Sequence, residues 1–260
     1  MGSVEGWWAM KRLAACIVLG PVAVAVGLYC GLPLILVIAD ASKRVAPSGF
    51  GRGARELASL AAKSVVIAII PAILSASFCT VCSLLGFLTP TFRRFYHCIL
   101  LILAFTNPVF FVLSFAVLLA EINPTVAVML ASSYIALPLG AIIIEAAVCE
   151  YPVELATAAR SLGASELRVV LGHVLPSIQH QLTVAVFMIA VYVMGFYLVP
   201  TYVGLGRVST LSTAIHAAAN QTGDWVAACQ LSTVLLAGQI ALLIAWQILA
   251  YRRREAGRVA

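Results

Sequence analysis

The stretch VELATAARSLGASELRVVLGHVLP, Val153 to Pro176, is a polar interval in a chain whose remainder is largely apolar. Leu155, Ala158, Ala159 and Leu162 recur at spacings of three and four, which on a helix makes one narrow apolar stripe. Glu154, Thr157, Arg160 and Ser161 fall off that stripe. Gly163 supplies the backbone freedom that a sharp turn or helix C-cap needs. Ser165 is placed to cap a second helix, on which Leu167, Val170, Leu171 and Val174 form another stripe. Pro176 is expected to stop it. The segment therefore reads as two short amphipathic helices hinged at Gly163. Alanines at the centre of the first stripe would let a partner surface approach the backbone closely. An amphipathic loop lying on a bilayer surface would show the same pattern.

The flanking sequence sets the class. Of 260 residues, 63% are hydrophobic and 10% charged, with a mean hydropathy of +1.06. Soluble domains carry roughly one quarter charged residues. A helix crosses the ~30 Å hydrocarbon layer with about 18 or more apolar residues. Spanning backbone must satisfy its own polar groups, as a helix or closed barrel. Continuous apolar runs without period-two alternation exclude the barrel. The expected fold class is an all-α membrane protein with six transmembrane helices: Leu13–Ala39, Lys63–Leu88, Cys98–Ala120, Pro124–Cys149, Leu182–Val203 and Ala227–Ala250. The first run is too long for a signal-peptide core of about 7–15 residues and is read as a retained helix. One transmembrane domain, 1–260, would carry the polar loop, 150–178.

With both termini in the cytoplasm, ten of the 16 Lys and Arg residues lie inside and six outside, as the positive-inside rule asks. A net charge of +6 then needs no nucleic-acid partner, because cationic ends beside anionic membrane lipid account for it. The seven cysteines lie in or beside apolar runs and read as small hydrophobes. Cys79 and Cys82 form a C-x-x-C without a second pair. The four histidines show no ligand spacing, so no metal site is expected. No phosphate-binding Gly loop occurs. Any ATPase would be another chain, and no catalytic residues are expected here.

The polar segment closely resembles the cytoplasmic EAA loop of permease subunits in binding-protein-dependent ABC importers. That pattern is Glu-Ala-Ala, three residues, Gly, nine residues, Ile, one residue, Leu-Pro. It falls here on Thr157-Ala158-Ala159, Gly163, His173 and Leu175-Pro176 with its spacing intact. Thr157 replaces the acidic residue and His173 the aliphatic one. Glu154, one turn earlier, could supply the missing charge. The resemblance implies a type I importer permease in a bacterial inner (plasma) membrane. It also implies a second permease subunit (homologous or identical), two ATP-binding subunits and a periplasmic solute-binding protein. No cofactor would be bound by this chain; ATP and Mg would sit on the partner ATPase. The loop would act as a coupling helix in a groove of that ATPase, with Glu154, Leu155, Ala158, Ala159, Leu162, Gly163 and Arg168 as docking residues. The loops from Asp40 to Ala62 and from Gly204 to Val226 would receive the binding protein.

The closing section, FYLVPTYVGLGRVSTLSTAIHAAANQTGDWVAACQLSTVLL, resembles that of spermidine/putrescine-type permeases, including the Asp224-Trp225 pair before the last span. The same branch carries ferric iron, thiamine, opines and phosphonates, with polyamine the leading expectation. A polycation would need carboxylates or aromatic faces, because an unpaired charge in hydrocarbon costs several kcal/mol. Glu121 and Glu145 are the acidic candidates. Asn107, Phe110, Glu145, Tyr192 and Phe196 are the candidate path residues. Phe105, Phe111, Tyr134 and Tyr197 are further aromatics that could equally be packing. Asn107-Pro108 and Pro138 mark expected kinks. The scarcity of acidic groups modestly disfavours polycations, unless the partner permease supplies the charge. A stand-alone secondary transporter or channel would show paired intramembrane charges or an inverted repeat. An intramembrane enzyme would show a convergent nucleophile, base or metal set. The intact loop spacing separates the permease reading from both.

Overall fold

The computed structural model describes residues 54–259. The expected first span, Leu13–Ala39, and most of the Asp40–Ala62 loop lie outside those residues. α1 (Ala54–Leu88) is the central helix. It packs against α5 (Leu137–Cys149) and α9 (Gln179–Gly195), and also touches α2 (Pro90–Phe105) and α4 (Pro124–Ile135). Its buried face is made of small residues, among them Ser64, Ala68, Ala72, Ser75, Ala76 and Cys79. Without a hydrophobic drive between helices in lipid, close van der Waals contact must hold them, and small side chains permit it. Gly140 of α5 lies at the crossing. A Cβ there would come 2.9 Å from Ile189 Cδ1 of α9 and 3.4 Å from Cys79 Sγ of α1.

Among the described residues two helical runs are long and apolar enough to cross a membrane unbroken, Glu56–Leu88 and Trp225–Ile248. The second belongs to α12 (Trp225–Val259). Three further crossings are bent pairs, giving up to five. The bends in the third and fourth fall at the expected kinks, Asn107-Pro108 and Pro138, whereas the bend in the fifth was not expected. The third span breaks by 96° between α2 and α3 (Pro108–Leu118). Asn107 causes the break: its side chain accepts from the Val109 amide at 3.0 Å, and Pro108 starts the new helix where no N–H is needed. The fourth bends by 46° between α4 and α5, beside Pro138. The fifth does not run from Leu182 to Val203. α9 ends at Gly195, Phe196 is extended, and a short α10 (Leu198–Tyr202) follows. Pro200 sits in the first turn of α10, where its missing N–H costs nothing.

The polar segment begins with α6 (Val153–Ser161) and α7 (Glu166–Val169), and continues through a π turn (Val170–Val174) and α8 (Leu175–Ser177). Pro176 does not stop the helical path as expected. The wider π turn, in which the Leu175 amide reaches the Val170 carbonyl, accommodates a proline one residue later. The path instead bends by 62° into α9. At the far end of α9, α11 (Leu211–His216) and a second π turn (Ala217–Gln221) lead into α12. Two hydrophobic cores result. One joins α1, α5 and α9 to the polar segment through Ala156, Val169, Val174 and Ile178. The other, at the opposite end, gathers Val112, Val128, Val199 and Val208.

Candidate functional site

The hinge at Gly163 is a Schellman motif. Gly163 has φ +86, its amide donates to the Arg160 carbonyl at 2.9 Å, and the Ala164 amide donates to the Ala159 carbonyl at 3.1 Å. These two bonds satisfy carbonyls that the end of α6 would leave open. A bidentate pair spans the hinge: Arg160 Nε to Glu166 Oε1 at 2.8 Å and Arg160 Nη2 to Glu166 Oε2 at 2.9 Å. Reading the sequence had singled out neither residue for this role. Their spacing of six is not a helical contact distance, and only the turn brings them together. Ser165 occupies the N-cap of α7, but its hydroxyl makes no capping bond.

Ala156 turns α6 toward the core, so the first stripe faces away from it. Leu155 is 58% exposed and Leu162 is 88% exposed. Glu154, Ala158, Gly163 and Arg168 are exposed beside them, whereas Ala159 is half-buried and packs toward the core. Six of the seven expected docking residues thus share the exposed surface of one short segment. The second stripe was misassigned. Val169, Val170 and Val174 are buried while Leu167 and Leu171 are exposed, because the π turn shifts the register that a constant 3.6 period assumes. Thr157 turns its hydroxyl back to the Val153 carbonyl at 2.9 Å. No charge therefore replaces the acidic residue at that position, and Glu154 remains the exposed carboxylate of α6.

The expected path residues divide between the two ends. Glu145, with its side chain 12% exposed, accepts from Arg93 Nε at 2.8 Å, and His97 Nε2 lies 3.1 Å from the same oxygen. Its second oxygen, Oε2, is buried without a hydrogen-bond partner. Arg93 also donates to Cys149 Sγ. This cluster borders an otherwise apolar cavity of about 380 Å³, lined by Leu100, Ala104, Pro138, Ile142 and Glu145 among others. Partners 52 residues apart in the chain leave no local signal in a sequence. Asn107 is a helix cap. Phe110 is exposed. Tyr192 and Phe196 stack with ring centroids 5.8 Å apart, and Phe196 joins the opposite core beside Val112 and Phe115. Phe111 and Phe115 both pack edge-on to Tyr134. Glu145 and the aromatic set therefore do not converge on one site.

The segment after α10 is built around a tight turn. A Cβ on Gly204 would collide with the Pro200 carbonyl. Leu205 and Gly206 take φ of +50 and +71, and the turn closes by the Arg207 amide donating to the Gly204 carbonyl at 2.8 Å. Thr210 and Thr213 form a capping box for α11. The Leu211 amide donates to the buried Ser64 hydroxyl at 2.8 Å, tying this segment to α1. Asp224 Oδ1 accepts from the Ala227 amide at 3.0 Å and so starts α12. The Asp-Trp pair is thus accounted for as a helix start.

Among curated proteins none matches this chain. Its backbone is similar to a chain from inward-facing conformations of the MetNI methionine ABC transporter. The TM-score is 0.59 over 78% of this chain and 95% of that one, at 17% sequence identity. That likeness establishes the fold alone, an all-helical one shared with that chain. The sequence profile described as "binding-protein-dependent transport system inner membrane component" matches residues 79–254. The matched region holds the hinged segment, the kinked crossings and the outward-facing stripe. By that match, the chain belongs to the family of binding-protein-dependent transport system inner membrane components.

Proposed function

We propose that this chain is one half of the solute path of an ATP-driven importer and that α6 to α8 couple it to a separate ATPase. The observation that carries this reading is the outward stripe of Leu155, Ala158 and Leu162 on a helix closed by the Gly163 hinge. Burying one leucine is worth roughly 1.5–3 kcal/mol. Two exposed ones, Leu155 on the nine-residue α6 and Leu162 at its C-cap, leave a surface best explained by a partner. Small Ala158 between them lets that partner reach the backbone. Below the stripe, Ala156, Val169 and Val174 fasten the segment to the α1/α5/α9 core. A push on α6 is thereby transmitted to the crossing helices as a packed unit. Switching of this kind needs a two-state bundle that ATPase closure biases.

In this reading the chain is a single transmembrane domain with both termini cytoplasmic. It works beside a second permease, two ATP-binding subunits and a periplasmic binding protein that docks near the Gly204–Val226 loop. ATP and Mg act on the ATPase alone. The solute belongs to the branch that includes polyamines, ferric iron, thiamine, opines and phosphonates. The test is ATPase activity of the assembly in nanodiscs with its binding protein and a solute panel. Stimulation by one solute, lost when Gly163 is replaced by valine, is the expected result. Absence of any co-purifying ATPase would overturn the reading.

A further inference from the structure

Three cavities adjoin around the segment that follows α10. The first, about 430 Å³, is bordered by Thr201, Ser209, Thr213, His216 and Gln221 among others. The second, about 550 Å³, lies on the other side of His216 and takes in Tyr197, Ser212, Asn220 and Ser232. The third, about 480 Å³, is bordered by Lys63, Thr125, Arg207 and Ser209. His216 is common to the first two, and Val208 and Ser209 to the first and third. Each is of the size that holds a small solute. His216 is held in place by stacking on Tyr197 at 4.6 Å.

The chemistry of the walls is one-sided. Their polar side chains are hydroxyls, amides, an imidazole and two cations, and among the described residues no carboxylate lines any of the three. Asp224, which follows the second π turn, is engaged as a helix cap. Hydroxyl, amide and cationic N–H and O–H groups are donors to an oxyanion. A polycation would meet Lys63 and Arg207 with no carboxylate among the described residues of these walls to pair its charge. We propose that these cavities form the outer vestibule of the path and accept a small solute bearing a carboxylate, phosphonate or phosphate group. Lys63 and Arg207 set the sign of charge, and His216 with its neighbouring hydroxyls and amides orients the solute. This rests on the importer reading and names its substrate class, in place of the polyamine that the sequence resemblance put first.

Ser209 is exposed on the wall shared by the first and third cavities, so Ser209→Cys reports on both. In nanodiscs, this variant is labelled with a negatively charged sulfonatoethyl methanethiosulfonate or its positively charged trimethylammonium counterpart, and read by peptide mass. After correction for their rates with a free thiol, the anionic reagent should react about fivefold faster. Adding Lys63→Gln and Arg207→Gln should erase that bias. Millimolar phosphonoacetate or 2-aminoethylphosphonate should slow the labelling, and spermidine should not. Faster cationic labelling, or protection by spermidine but not by the anions, would overturn the proposal. So would protection by an acidic binding protein with no effect of any solute, because the cations would then be a protein-docking patch. Thr125→Cys, exposed on the third cavity with both cations, repeats the test if Ser209→Cys fails to fold. Labelling needs no ATPase, whereas the importer reading fails on loss of ATPase co-purification, so the two failures are separable.

Discussion

Two glycine turns lie at opposite ends of α9, and they are constrained in opposite ways. Gly204 is buried, and any side chain there would collide with the Pro200 carbonyl and come 3.1 Å from Val208 Cβ. Gly163 is exposed, with nothing within 4 Å of where a Cβ would be. Its constraint is the backbone itself, at φ +86. One turn is held by contact inside the chain. The other keeps its surroundings open, and the stripe next to it is apolar and uncovered. A protein that needed Gly163 only to change direction could cover Leu162. The difference ties Gly204 to packing within the chain, and it leaves the surface beside Gly163 free for the partner proposed above.

Substitutions should separate the two in order of effect. Gly204→Val should be the most damaging, because overpacking against backbone has no flexible side chain to yield. A loss of about 3 kcal/mol or more should appear as a sharp fall in folded protein on size exclusion. Gly163→Val should leave a folded protein, since the strain of a left-handed residue is only about 1–2 kcal/mol. It should abolish solute-stimulated ATP hydrolysis in nanodiscs while leaving unstimulated hydrolysis measurable. A Gly163→Val protein as unstable as Gly204→Val would break the comparison. Leu162→Ser should weaken ATPase binding by about 10-fold, corresponding to roughly 1.4 kcal/mol of lost apolar burial, with an unchanged melting temperature. Arg160→Gln should have the smallest effect. The Arg160–Glu166 pair is 36% and 57% exposed at its two side chains, and exposed pairs contribute about 0–1 kcal/mol. Its effect on binding should stay below about fivefold and vanish as salt is raised.

The sequence was most informative where structure has a local cause. Gly163 at the end of a helical stripe reads as a C-cap from the chain alone, because a Schellman motif is made by neighbours in sequence. Asn107-Pro108 likewise announces a break, since a cap and a first-turn proline are local devices. The 96° angle at that break was not legible, because packing of α3 against α4 and α10 sets it. The split of the second stripe was not legible, because the π turn over Val170–Val174 departs from a constant 3.6 period. Glu145 is legible as an acidic residue in an apolar run, but its partners Arg93 and His97 come from another helix. The cation-bordered cavity was also hidden. It depends on Lys63 of α1 and Arg207 of a distant turn lining one wall with Val208 and Ser209.

The exposed face of α6 is proposed to dock an ATPase. The most direct measurement is the affinity of the purified ATPase subunit for this permease in nanodiscs, compared between the native chain and Ala158→Trp. Ala158 is exposed, so the larger side chain should not disturb the fold, and melting of both proteins controls for that. The account requires at least a tenfold loss of binding at equal stability, as a bulky ring holds the partner off the helix. Equal affinity for both proteins would contradict it.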